Sequence, residues 1–292
     1  MAIPSSSSSD HSNTPLLLQI PRKWTSKQLK ALKVTEQRDL PAEAIVEASY
    51  VPSDGDEAFE GLAAELCDPT RQDLWDMPFG KKNYFSNPFF FTFKSLSQVS
   101  RSTENEDVYS TAKSALMCCL STIGGRLRSS LYHRTYSSKI PFTVHPAGIK
   151  GALRCSGALF DRAPKWAGDE IPLLPLATIT VVNNRDKTSV AVHEVPQIVV
   201  QAILAYNRDP TRESYPAFVL RVDRTILQVS MSALSRTYVE ELCRGKPLSG
   251  SLRLCRSVRY DMLERDERRE ALRLLVGLVR FLDTSNIIDG KR

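Results

Sequence analysis

Apolar positions recur at helical spacing in two long stretches of the chain. From Glu106, the residues Val108, Ala112, Ala115, Leu116, Cys119, Leu120 and Ile123 fall on one stripe and predict a helix, which Gly124-Gly125 ends or bends. Near the other end, "RDERREALRLLVGLVRFLD" carries Ala271, Leu274, Leu275, Leu278 and Phe281-Leu282 on its stripe, with a charged start facing water. Between these helices the pattern turns β-branched and extended. "SKIPFTVHP" and "GALRCSGALFDR" read as extended pieces, and "YPAFVLRV" and "TILQVSMS" as a strand pair about a tight turn at Asp223-Arg224. "LATITVV" and "TSVAVHEV" flank a turn-rich pentapeptide with Asn183, Asn184 and Asp186 and read as a hairpin whose second strand ends at Glu194. Pro196 then suits the first turn of a helix reaching Asn207. Shorter helices are expected after Thr25 or Ser26, around Glu57 to Cys67, and between a Ser235 cap and Gly245.

This element order predicts an α/β (α+β) fold, a mixed central sheet with flanking helices. Residues 1–40 read as a disordered and basic N-terminal segment, 41–105 as an acidic and aromatic-rich flanking region, and 106–292 as the α/β domain. The flank includes "NYFSNPFFFTFKSL", where Phe85, Phe89, Phe90, Phe91 and Phe93 crowd together. Without a strand framework to present the rings, the cluster reads as core or docking surface sooner than as a base-stacking platform.

Composition changes the picture mainly through charge. The net charge is +6, but Glu36 to Asp76 is strongly acidic, with only Arg38 and Arg71 as bases, whereas Arg126 to Lys165 holds one acid, Asp161, among its bases. Arg126, Arg128, Lys150, Arg154 and Lys165 are the candidate nucleic-acid contacts if they share a face. The acidic flank could instead cover a basic face within the same molecule. No apolar run approaches the ~18 residues of a membrane span, and the short patch Leu16 to Ile20 lacks the basic start of a secretory leader. The 6 cysteines are scattered, without C-x-x-C pairs, so neither structural zinc nor a disulfide framework is expected. A cytoplasmic or nuclear compartment and no membrane partner follow as expectations.

There is no nucleophile elbow, no phosphate loop and no dinucleotide fingerprint, and the histidines His11, His133, His145 and His193 form no H-E-x-x-H pattern. The helix, three strands, helix and strand over roughly Val108 to Met231 resemble the PD-(D/E)XK nuclease-like core, an αβββαβ unit, as seen in fungal proteins. In active members a carboxylate on the second strand and an E-x-K on the third bind divalent ions, and a helix Gln supports them. The chemistry implied is Mg²⁺-assisted phosphodiester hydrolysis. Carried over, Glu194 matches the E as catalytic and metal-binding residue, Asp161 is the nearest second carboxylate for both roles, and Gln201 matches the helix Gln. Pro196 stands where the lysine belongs. A second threading places "TITVV" on the motif strand, giving Thr180 and Val182 and no metal ligand.

Each residue also has a structural reading. Glu194 could cap the helix that follows, Gln201 could be one polar position on an amphipathic helix, and Asp161 a turn residue. The expected function is that of a catalytically impaired nuclease-like protein acting by nucleic-acid or partner binding, without a cofactor. One alternative is an active Mg²⁺-dependent nuclease whose lysine has migrated to Lys187 or Lys165. The other is a non-enzymatic accessory protein of a fungal pathway.

Overall fold

A computed structural model describes residues 24–77, 84–102, 106–134, 138–145, 148–160, 174–182 and 190–288. Along the chain run α1 (Ser26–Ala31), β1 (Thr35–Leu40), α2 (Ala42–Ile45), α3 (Glu57–Leu66), α4 (Arg71–Asp76), α5 (Phe90–Arg101) and α6 (Glu106–Leu127). Next come β2 (Tyr132–Arg134), β3 (Ser138–Val144), β4 (Ile149–Cys155), β5 (Gly157–Phe160), β6 (Pro175–Val181) and α7 (Val190–Arg208). The chain continues through β7 (Ser214–Asp223), β8 (Ile226–Ser235), α8 (Arg236–Cys243), β9 (Arg253–Ser257), β10 (Tyr260–Asp261) and α9 (Arg265–Ile288).

The main sheet has the order β1-β9-β8-β7-β6-β5-β2, with β10 pairing on β8, and β3–β4 form a separate hairpin. Two pairs, β6–β7 and β1–β9, are parallel, and the other pairs are antiparallel. A parallel neighbour needs a crossover connection, which α7 supplies between β6 and β7. The fold is thus a mixed sheet covered by helices, in line with the expected class.

Alternation along the central strands gives each face its own core. Phe218, Leu220 and Val222 of β7, with Leu227 and Val229 of β8, pack with buried residues of α3, α5, α6 and α9. Tyr215, Ala217 and Val219, with Leu234 and Leu254, pack with α7, α8 and α1 on the other face. The acidic flank is part of the first core, since Phe59, Leu66, Phe89 and Phe93 are fully buried in it. Residues 24–40, grouped with the N-terminal segment on sequence, contribute α1 and the edge strand β1.

Local signals hold in several places. Thr25 and Gln28 form a capping box on α1, Ser235 caps α8, and a two-residue turn joins β7 to β8. That turn puts Arg224 at φ 58, and its guanidinium donates to the Val99 and Ser102 carbonyls at the end of α5. Gly124 and Gly125 do not stop α6. The helix runs on to Leu127 and closes on Arg128 at φ 54, where Ser129 N–H returns to the Gly124 carbonyl.

The expected hairpin over 176–195 is corrected in its second half. Val190 to Val195 is helical, so Glu194 lies on α7 and Pro196 is inside that helix rather than opening it. Ala191, Val195, Ile198, Val199 and Ala202 are buried against the sheet, and this packing outweighs the β-branched preference for strand.

Asp56 shows how the acidic flank is tied down. Its carboxylate accepts from Phe59 N at the start of α3 and from both terminal nitrogens of Arg280 on α9, at 2.6 and 3.0 Å. The bond from Arg280, chief among the causes, holds its carboxyl below the ordinary aspartate value. Asp56→Ala is expected to cost about 2 kcal/mol. A depressed carboxylate contributes stability above its unfolded value and loses it as pH falls through the folded one. Urea melts should therefore show a constant deficit from neutral pH down to about 4 and a shrinking one below it.

Candidate functional site

On the α7 face, the strands are apolar at one end and polar toward the other. Thr178 and Thr180 of β6, Arg221 of β7, Gln228 and Ser230 of β8 and Arg256 of β9 occupy alternate positions on the side that also carries Val219 and Leu254. Helix α7 brings Glu194, Gln197 and Gln201 to them, three and four residues apart and so on one stripe.

The centre is a buried ion pair. Glu194 Oε2 accepts from Ser230 Oγ at 2.9 Å and from Arg256 Nε at 2.9 Å. Glu194 is 0% and Arg256 4% exposed. Arg256 Nη1 donates to Glu36 Oε2 at 2.7 Å, and Arg38 donates to the same oxygen, so the pair reaches the edge strand β1. Partial burial pushes the Glu36 carboxyl up, but Arg38 and Arg256 together outweigh it and leave the group below its usual value. Arg221 donates to Gln228 Oε1 at 3.3 Å, and Gln228 donates to the Ser257 carbonyl at 2.9 Å. Burial lowers the Arg221 guanidinium against the opposing pull of Glu194.

The glutamines fasten the helix. Gln197 Nε2 donates to Thr180 Oγ1 and to the His193 carbonyl. Gln201 Nε2 donates to Thr178 Oγ1 at 3.1 Å and to the Phe218 carbonyl at 3.0 Å, while its Oε1 accepts from Phe218 N at 3.3 Å. Gln201 therefore joins α7 to β6 and β7. Its amide is used up by these contacts.

This arrangement does not fit a divalent cation. Hard cations take several oxygen ligands, commonly more than one carboxylate, whereas Glu194 is neutralised by a guanidinium and further bonded to Ser230. No group of three or more His, Cys, Asp or Glu side chains among the described residues could hold one ion. Glu194 is also not a helix cap, since it lies in the second turn of α7.

Asp161, Lys165 and Lys187 lie outside the described residues. Of the basic candidates, Arg126 lies in the last turn of α6 paired with Glu65, and Arg128 follows the helix. Lys150 and Arg154 are exposed on β4, whose buried residues pack with α7, so the two sets lie in layers on opposite faces of the sheet. The acidic flank instead engages α9 and α6, through Glu60 with Arg269, Asp54 with Arg273, Asp56 with Arg280 and Glu65 with Arg126. The phenylalanine cluster divides: Phe89 and Phe93 are core, and Phe85 and Phe91 are exposed.

Sequence reasoning missed Arg256, Ser230 and Glu36. The available signal was an arginine inside the extended "RLCRS", a costly place for a charge without a partner. Compared with known families and with curated proteins, the chain matches no family model and none of the curated sequences.

Proposed function

We propose that this chain is a nuclease-like scaffold that does not hydrolyse phosphodiesters and acts by binding nucleic acid. The order α6, β2, β5, β6, α7, β7, with the β3–β4 hairpin inserted between β2 and β5, supports the reading: three antiparallel neighbours are followed by a helical crossover to a parallel strand. The observation that carries it is the chemistry of the strands beneath α7. Ala158 and Phe160 of β5 pack with α7, and Thr178 and Thr180 of β6 bond to its glutamines, with no carboxylate or lysine at these positions. The buried carboxylate nearby, Glu194, is held by Arg256.

A cleavage assay on labelled DNA and RNA with Mg²⁺ or Mn²⁺ tests the reading, comparing wild type with the shape-conserving Glu194→Gln. Neither protein is expected to cleave. Cleavage by wild type that Glu194→Gln abolishes would overturn the proposal in favour of an active nuclease. A second reading, docking to another protein, is favoured by the exposed rings of Phe85 and Phe91, which are 74% and 63% accessible.

A further inference from the structure

We infer that nucleic acid lies on the α7 layer, its phosphates met by Lys27 and Lys30 of α1, Lys150 and Arg154 of β4, and Arg244 and Lys246 after α8. This assignment rests on the binding reading above and gives it a surface. The layer is one packed unit. Trp24 and Leu32 beside α1, Val144 of β3, and Tyr238 and Leu242 of α8 share an apolar cluster with α7. Tyr238 Oη donates to the Leu32 carbonyl at 2.8 Å, and Asn207 of α7 donates to the Thr143 carbonyl of β3 at 2.7 Å.

Charge is one-sided on two parts of this unit, the α1 segment and the β3–β4 hairpin. Residues 24–34 contain Lys27, Lys30 and Lys33 and no acid, and strands β3 and β4 contain Lys139, Lys150 and Arg154 and no acid. Lys27 and Lys30 are exposed one turn apart on α1, while Gln28 and Leu32 turn inward. Lys150 and Arg154 share the solvent side of β4, and Leu153 and Cys155 take the buried side. None of Lys27, Lys30, Lys150 and Arg154 forms an ion pair among the described residues. Around α8, Arg244 and Lys246 face Glu240 and Glu241. The acids of the flank sit across the sheet, on α3 and against α9, where Glu60 and Asp56 pair with Arg269 and Arg280, so they lie away from the lysines of the α7 layer.

The same face selects among polyanions. The exposed large hydrophobics among the described residues are Trp75 on α4, Phe85 and Phe91 by α5, and Val258 after β9. Among the described residues none of these stands on α1, β3–β4, α7 or α8, so the described side chains of this layer meet a ligand through charge. Exposed lysines and arginines of this kind suit contact with the phosphate backbone of a duplex, which positions without reading sequence.

The test is fluorescence anisotropy with a labelled duplex of mixed sequence, titrated between about 50 and 200 mM salt. Six phosphate contacts predict that log K falls against log salt with a slope near −5, at about 0.9 per contact. The variant Lys27→Gln/Lys30→Gln/Lys150→Gln/Arg154→Gln, changed only at exposed sites, should melt like wild type. Its slope should be shallower by about 3 to 4, and its low-salt affinity more than about tenfold weaker. Arg126→Gln/Arg128→Gln, in the opposite layer, should bind as wild type does. A fourfold variant that binds normally would overturn this face while leaving the binding reading intact. A wild type that fails to bind at the lowest salt would overturn the binding reading itself. Capture by phosphatidylserine vesicles but not by duplex would overturn both in favour of a membrane surface.

Discussion

Arg256→Met is expected to destabilise the fold by about 3 to 5 kcal/mol, because it leaves a buried carboxylate without its cation. After that change Glu194, 0% exposed, would keep only the Ser230 hydroxyl. The reverse substitution is milder. Glu194→Leu leaves Arg256 still bonded to Glu36 at 2.7 Å, near the edge of the sheet where the Glu36 side chain is 25% exposed, so about 1 to 3 kcal/mol is expected. Adding Glu194→Gln to Arg256→Met removes the stranded charge and should recover part of the loss, giving a double variant more stable than Arg256→Met alone. Denaturant midpoints at constant m-value measure all of these. Equal and additive losses would mean that the two groups do not act as a pair.

The fold class was legible because its long helices and its β7–β8 hairpin are local patterns. The stripes of α6 and α9 mark the face that is buried, and the near-continuous apolar run of "YPAFVLRV" marks a central strand covered on both faces. What misled was the start of α7. "SVAVHEV" alternates and is β-branched, and Pro196 has the standing of a helix opener, yet Ala191 and Val195 in it continue at helical spacing into Ile198 and Val199. Two periods fit the same residues there, and burial against β6, β7 and β8 decides between them. Strand β1 was illegible for the opposite reason. "TEQRDL" is solvent-exposed along almost its whole length and gives no alternation to read, since it is an edge strand held by backbone pairing to β9.

The site divides in the same way. Glu194 and Gln201 were identified from one segment, and they do face one surface. Their partners come from remote places, Glu36 on the first strand and Arg256 on the penultimate one, joined only through sheet order. No spacing rule reaches across such distances. The charge contrast between segments was real, but its resolution was not local either. Arg126 is occupied by Glu65, while the lysines of α1, grouped with the N-terminal segment, reach the α7 layer because Tyr238 and Leu32 tie α1 to α8.

Arg268→Met is expected to cost about 3 to 5 kcal/mol, although this arginine has no carboxylate bonded to it. Arg268 is 0% exposed and stands in the first turn of α9, where a cation opposes the helix dipole. What offsets this is a set of carbonyls. Its Nη1 donates to Met262 O at 3.0 Å and Leu263 O at 2.9 Å, and its Nη2 donates to Pro69 O, fixing the α3–α4 connection to the start of α9. Burial, the largest cause, lowers its guanidinium from the ordinary value. Methionine fills similar space but leaves all three carbonyls without their donor. Arg268→Lys keeps a charge that the same burial disfavours, so its ammonium should titrate below the unfolded value of about 10.4. A cation lowered on folding is released of its proton by folding, so stability rises with pH toward that value and falls as pH drops. Melts at pH 7 and 9 should therefore show Arg268→Lys gaining on wild type at the higher pH, with Arg268→Met unchanged relative to it. A lysine variant whose deficit is independent of pH would show that water reaches the site and that the clamp on Pro69 is not closed.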